Sequence, residues 1–201
     1  MGGWGIRDIE LFNKALTAKS MWRVLVHPGL WSQFMRRKYL KGLDVFNWLR
    51  KDTKVYHIAS MVWRNLLTAL PVIKRWLAWE VCTRHIILLG LDPFVGGGAF
   101  YKLPVNLVSS LNAARMYSLA QIKNKDDGNW LTRNDLQLTG TNALEWANFL
   151  AGLDRNDIAL SSKPDRLVWT WNKKDGKVHV KEAYEALVFQ EPYEDPKWWY
   201  F

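Results

Sequence analysis

Apolar residues near the N-terminus recur at the spacing of one helix face, and this periodicity constrains the fold more than any other feature. The intervals are four, three, four and three residues, which place the side chains on a single side of an α-helix. Asp8 is a candidate N-cap, and Pro28 with Gly29 is expected to end the helix. Such a helix must bury its apolar face against other elements. The residues with this spacing are Leu11, Ala15, Ala18, Trp22 and Leu25.

Two further helices are predicted before residue 75. The second is expected to turn Trp31, Phe34 and Met35 inward and to end at Gly42. Ser60 is the candidate cap of the third, which Pro71 is expected to end. Residues 76–81 and 85–89 are typical either of two short strands or of a helix end followed by a strand. The apolar stripe predicted for the third helix comprises Val62, Trp63, Leu66, Leu67 and Leu70.

The clearest break in the chain is Asp92-Pro93 followed by three glycines at 96–98. We therefore predict two regions, a basic helical one over residues 1–92 and a mixed one over 93–201. In the mixed region, Thr141 is a candidate cap for a helix that Gly152 is expected to stop.

Residues 166–189 predict a β-hairpin followed by a helix. Alternating apolar residues at 167–171 favour a strand, Asp175-Gly176 is typical of a hairpin turn, and Val178 and Val180 alternate in the expected return strand. The tryptophans of this unit are more typical of cross-strand packing than of base stacking. The predicted fold class is α+β, mostly α, with a helical N-terminal half and a hairpin and helix in the C-terminal half.

Positive charge is concentrated in the first half of the chain. Residues 1–90 hold 15 Lys and Arg against 5 Asp and Glu, whereas residues 91–201 hold 13 against 14. This asymmetry favours a polyanionic partner, because neutralising phosphates releases counterions and adds affinity without sequence specificity. The alternative is that the cations only keep a tryptophan-rich domain soluble.

Eight cations of the first half are candidate phosphate contacts. Arg36, Arg37 and Lys38 form a cluster at the end of the second helix, where they either complement the helix dipole or clamp a phosphate. Lys14 and Arg23 lie off the apolar stripe of the first helix, so we expect them to face outward. The complete set of predicted nucleic-acid-binding residues is Arg7, Lys14, Lys19, Arg23, Arg36, Arg37, Lys38 and Lys41.

Several classes of function find no support in the sequence. Cys82 is the only cysteine, and the four histidines lack the short spacings of a metal site, so we predict no metal and no cofactor. The apolar run 86–91 is too short to cross a bilayer. Asp126-Asp127 lacks the flanking hydrophobic strands of a polymerase metal site and is expected to be a solvated loop. We therefore predict a non-enzymatic, intracellular protein of the nucleus or cytoplasm that does not bind membranes.

Several short motifs occur in a fixed order along the chain, from GGWGIRDIELFNKAL at 2–16 to VKEAY at 180–184. This ordered set resembles one family, the plant LINE-type (non-LTR) retrotransposon reverse transcriptases, in the region between the polymerase core and the C-terminal zinc-binding segment. The matches keep the family's order over nearly the whole chain. They are GGWGIRDIELFNKAL at 2–16, Trp22-Arg23, Leu30-Trp31, Trp63-Arg64, Asp92-Pro93-Phe94, PDRLVW at 164–169 and VKEAY at 180–184.

The resemblance implies a fragment of a polyprotein whose whole is an RNA-directed DNA polymerase. The chain would start after the catalytic aspartates and stop at the aromatic residues 198–201, before any zinc ligand. It would bind RNA or an RNA–DNA hybrid non-specifically beside the polymerase thumb. Cys82-Thr83-Arg84-His85 stands where the family usually has a Gly-x-Gly turn, which favours a decayed copy. The alternative is therefore a degenerate retroelement remnant, or a protein-interaction module that uses the C-terminal aromatics.

Overall fold

The structure is a computed structural model that describes residues 8–51, 59–81, 87–95, 101–123, 128–156, 158 and 165–190. Two compact units divide the chain: unit 1 comprises residues 1–76 and 169–201, and unit 2 comprises residues 77–168. The chain is thus divided at 76/77 and 168/169 rather than at the predicted break near residue 92. The C-terminal helix explains the difference, because it packs against the first helix and joins the two ends of the sequence in unit 1.

Unit 1 is helical in the part that the structure describes. Asp8 caps its first helix as predicted, since its Oδ1 accepts hydrogen bonds from the N–H groups of Glu10 and Leu11. All five residues of the predicted apolar stripe are buried. The helices of unit 1 are α1 (Ile9–Val26), α2 (Leu30–Tyr39), α3 (Val45–Arg50), α4 (Met61–Thr68), α5 (Leu70–Arg75) and α8 (Val180–Gln190).

Two details of α2 and α4 differ from the sequence prediction. Met35 is buried on the inner face of α2, but Trp31 and Phe34 are exposed, so two of the three predicted inward residues face solvent. In α4, Ser60 caps the helix as predicted, whereas Val62 is exposed. Pro71 follows the end of α4 and lies in the first turn of α5, a position where a missing N–H costs no hydrogen bond.

Unit 2 combines a small antiparallel sheet with helices. The sheet pairs β1 (Leu77–Glu80) with β2 (Arg166–Trp169), whose last residue belongs to unit 1. Two α-helices, α6 (Val105–Ala113) and α7 (Gly140–Arg155), pack together, and a short 3-10 helix spans Leu119–Ile122. The indole N–H of Trp146, on α7, donates to the Leu131 carbonyl at 2.9 Å.

The predicted class, α+β and mostly α, is confirmed. The predicted unit of strand, turn, strand and helix at the C-terminal end is present without its second strand. The partner of β2 is β1, however, since Val178 lies outside any strand and Val180 begins α8. In unit 2, α7 starts one residue before Thr141 and continues past Gly152 to Arg155. Gly152 is buried there, and a glycine inside a packed helix weakens the helix without ending it.

Candidate functional site

Positive charge is unevenly distributed between the two structural units, as it is between the two halves of the sequence. Unit 1 contains 19 Lys and Arg against 10 Asp and Glu, a net charge of +9, whereas unit 2 contains 9 against 9. The whole surplus of the chain therefore belongs to unit 1. A polyanionic ligand would be attracted to this unit and not to its neutral companion.

A cleft of about 490 Å³ opens on unit 1 between the end of α1 and the segment that leads into α8. We call it the α1 cleft. It brings together residues that are about 150 positions apart in the sequence. Its lining consists of Lys19, Trp22, Arg23, Val26, His27, Pro28, Lys177, Val178 and His179.

Small residues allow α1 and α8 to pack closely and so form the cleft. Ala15 and Ala18 on α1 and Ala183 and Ala186 on α8 are completely buried. Alanines at a spacing of three residues leave room for the backbone of a second helix, so the two axes can approach each other. The phenol oxygen of Tyr184 also accepts a hydrogen bond from the Asp8 N–H at 3.2 Å.

Three cationic side chains line the α1 cleft. Lys19 and Arg23 are four residues apart on α1, which places them on one face of the helix. Lys177 reaches the same cleft from the segment before α8, and all three side chains are exposed. Among the described residues that line the cleft none is acidic, and the nearby carboxylate of Asp175 interacts with His179 and Lys177.

Two histidines extend the polar part of the wall. The Nδ1 atom of His27 accepts a hydrogen bond from the Gly29 N–H at 3.0 Å. The Nε2 atom of His179 lies 2.9 Å from Oδ2 of Asp175. Partial burial acts to raise the pKa of Asp175, but the hydrogen bonds from His179 and from the Lys177 N–H lower it overall. Asp175 thereby fixes the turn that carries Lys177 and His179.

The rest of the α1 cleft lining is mostly apolar. Trp22 and Val178 are buried, whereas Val26 and Pro28 are exposed. A lining that combines cationic and apolar side chains suits a ligand that has both anionic groups and an apolar face.

Arg36 differs from the other predicted contacts because it is bound to the protein itself. Its Nη1 donates to the carbonyls of Val24 and Leu25 at 3.1 and 3.2 Å, and its Nη2 donates to the His27 carbonyl at 3.0 Å. These carbonyls end α1, so Arg36 satisfies the last turn of that helix. The sequence left two roles open for Arg36, a contact with a helix end and a contact with a phosphate. The structure shows the first, at the end of α1 and not at the end of α2, the helix that carries Arg36.

The remaining predicted cations have different surroundings. Lys14 forms an ion pair with Glu10 at 2.7 Å on the exposed side of α1. Arg37 is exposed, and the ammonium of Lys38 lies 5.8 Å from the ring centre of Phe34.

Lys41 is exposed just after α2, and Arg7 lies outside the described residues. The structure thus brings Lys19 and Arg23 together but leaves the α2 cations outside the α1 cleft.

Lys38 also contacts Tyr39, which joins α2 to the start of α4. The Tyr39 hydroxyl and the Ser60 hydroxyl are 2.6 Å apart, and the Tyr39 ring stacks on Trp63 at 4.5 Å between ring centres. The hydrogen bond with Ser60 lowers the pKa of Tyr39, and the nearby Lys38 charge contributes in the same direction. These contacts hold the end of α2 in a fixed position.

Sequence reasoning missed His27, Lys177 and His179. The sequence pattern places Lys177 and His179 in a hairpin strand. It does not show that α8 packs on α1, which is what brings these residues to the cleft. The paired alanines at 15 and 18 and at 183 and 186 were the available signal, since small residues three apart on two helices indicate a close crossing.

Neither a metal centre nor a membrane span is found in the described ranges. No three His, Cys, Asp or Glu side chains there could hold a metal ion together. None of the helices described is long and apolar enough to cross a bilayer. The predicted loop at Asp126-Asp127 and the lone Cys82 lie outside those ranges.

The protein is therefore mostly helical and consists of two units, and unit 1 carries both the positive charge and the α1 cleft. Comparison of the chain with protein-family models, with curated proteins and with solved structures finds no match.

Proposed function

We propose that unit 1 binds nucleic acid through phosphate contacts in the α1 cleft. The observation that carries this proposal is the convergence of Lys19, Arg23 and Lys177 on one cleft, whose described lining is otherwise mostly apolar and includes no acidic residue. The net charge of +9 on unit 1 adds long-range attraction for the same ligand. Contacts of this kind recognise the sugar-phosphate backbone and not the base sequence.

The resemblance to plant LINE-type reverse transcriptases suggests which nucleic acid is bound. In that context the ligand is RNA or an RNA–DNA hybrid, held near the polymerase of a parent polyprotein. Under this proposal the chain itself catalyses no reaction. It binds nucleic acid in the nucleus or cytoplasm. Of the eight cations predicted from the sequence, Lys19 and Arg23 belong to the proposed contact set, and Lys177 joins them, with His27 and His179 beside them in the lining.

Neutralising the cleft cations tests the proposal. The triple variant Lys19→Gln, Arg23→Gln, Lys177→Gln removes three charges from exposed positions, so the fold should be retained. Binding of a fluorescein-labelled RNA–DNA hybrid, followed by anisotropy at about 0.1 M salt, should weaken about tenfold or more. A matched control is Lys102→Gln, Arg115→Gln, Arg133→Gln, which removes three exposed charges from unit 2. Equal losses in both triple variants would refute the assignment to the cleft.

A second candidate is a retroelement remnant or protein-interaction module that binds no nucleic acid. The exposed apolar residues of α2 favour it, because patches of this kind often mark protein contacts. The C-terminal aromatics invoked for this alternative lie outside the described residues. Size-exclusion chromatography separates the candidates: a monomer that binds the hybrid supports the first, and self-association without binding supports the second.

A further inference from the structure

The outward face of α2 carries two large aromatic side chains that a helix of a folded unit would normally bury. The exposed fraction is 45% for Trp31 and 57% for Phe34. The inner face is formed instead by Met35 and Ser32, both buried. The hydroxyl of Ser32 donates to the Arg23 carbonyl at 2.9 Å, so a hydrogen bond to the end of α1 accompanies this rotation of the helix.

Cations stand beside these rings. Lys38 follows Phe34 by one helical turn, and its ammonium lies 5.8 Å from the Phe34 ring centre. Arg37 is exposed next to it, and α2 contains no acidic residue. We call Trp31, Phe34, Arg37 and Lys38 the α2 face. Residues three and four apart on a helix are neighbours, with Cβ atoms about 5–6 Å apart, so a single ligand can contact both rings and a cation.

We propose that the α2 face stacks the unpaired bases of single-stranded nucleic acid while its cations contact the adjoining phosphates. The inference rests on the proposed function and deepens it, because it assigns unpaired bases to a surface separate from the cleft. Aromatic rings stack on every base and therefore give affinity without sequence preference. The α1 cleft needs only a backbone, whereas the α2 face needs bases that are free of a partner strand.

Charge argues for this ligand over a purely apolar partner. A protein or lipid surface that covered Trp31 and Phe34 would also have to match the exposed Arg37 and Lys38 and the +9 net charge of unit 1. A single strand offers stacking surfaces and phosphates at alternating positions, which suits rings and cations interleaved along one helix. The α2 face begins three residues after Pro28 of the α1 cleft.

The test compares two single strands of the same length, an ordinary twelve-nucleotide RNA and an abasic strand with the same phosphates. The unaltered full chain should bind the ordinary strand about fivefold to a hundredfold more tightly than the abasic strand. Trp31→Ala combined with Phe34→Ala should abolish this preference and leave binding of the abasic strand and of a paired hybrid nearly unchanged. The matched control is Leu30→Ala, which removes an apolar side chain that is 85% exposed on the same helix but cannot stack on a base.

Each outcome decides the question. Equal affinity of the unaltered chain for both strands would overturn base stacking and leave phosphate binding by the cleft standing. Failure to bind either strand or the hybrid would overturn both proposals together. A loss in Leu30→Ala as large as that in the aromatic variant would indicate a general apolar contact and would also overturn stacking. Binding of phosphatidylserine vesicles that depends on Trp31, without any base-dependent preference, would assign the α2 face to lipid instead.

Discussion

Replacing Arg36 by methionine tests how far one side chain stabilises the end of α1. Methionine keeps most of the aliphatic stem but removes three hydrogen bonds, to the carbonyls of Val24, Leu25 and His27. A hydrogen bond contributes about 0.5–1.5 kcal/mol net, and a cation at a helix C-terminus adds about 0.3–1 kcal/mol. Because Arg36 is only half-buried, water replaces part of this, and we expect a loss of about 2 kcal/mol.

The assay is urea unfolding followed by far-UV circular dichroism at 25 °C. Arg37→Met is the matched control, since it removes the same charge from an exposed neighbour on the same helix and should change the free energy of unfolding by less than about 0.5 kcal/mol. In thermal scans, the loss in Arg36→Met corresponds to about 4–8 °C for a chain of this length. A free energy of unfolding equal in the two variants would refute the assignment of Arg36 to the end of α1.

Three further predictions concern packing, the turn before α8 and acid stability. Ala183→Leu should cost about 1–3 kcal/mol by forcing α8 away from α1, whereas Val188→Leu at an exposed position should be nearly neutral in the same urea titration. Asp175→Ala should weaken the turn and speed amide hydrogen exchange at 176–179, measured by mass spectrometry, and unchanged exchange would contradict the role given to its carboxylate. Hydrogen bonds from the Thr132 side chain and N–H lower the pKa of Asp135. Its stabilising effect should therefore be complete above pH about 4 and disappear as the pH falls through the folded-state pKa; a difference between the unaltered chain and Asp135→Asn that stays constant down to pH 2 would contradict this.

Local signals predicted the parts of the fold that depend on neighbours in sequence. The apolar spacing in α1 and the caps at Asp8 and Ser60 are determined within a few residues, and the structure confirms them. The rotation of α2 was not predictable in this way. The spacing allows Trp31 and Phe34 to face inward, but in the structure Met35 is buried, Ser32 and Arg36 hydrogen-bond to the end of α1, and the two aromatic side chains are exposed.

The α1 cleft could not be predicted from local sequence patterns, because its lining combines residues that are far apart in the sequence. Lys19 and Arg23 were predicted to be functional because they share the basic first half, and the structure places both in the cleft wall. Lys177 could join them only once α8 was known to pack on α1. The same limitation applies to Arg36, whose sequence neighbours suggested a phosphate contact although its guanidinium binds the preceding helix.

The dependence of hybrid binding on salt concentration tests the central claim most directly. If Lys19, Arg23 and Lys177 each neutralise a phosphate, the plot of log affinity against log salt should be steeper for the unaltered chain than for the triple glutamine variant. The expected difference in slope is about two to three, because each contact contributes about 0.7–0.9. Equal slopes for the two proteins, or affinity of the unaltered chain that does not change with salt, would contradict binding by the α1 cleft.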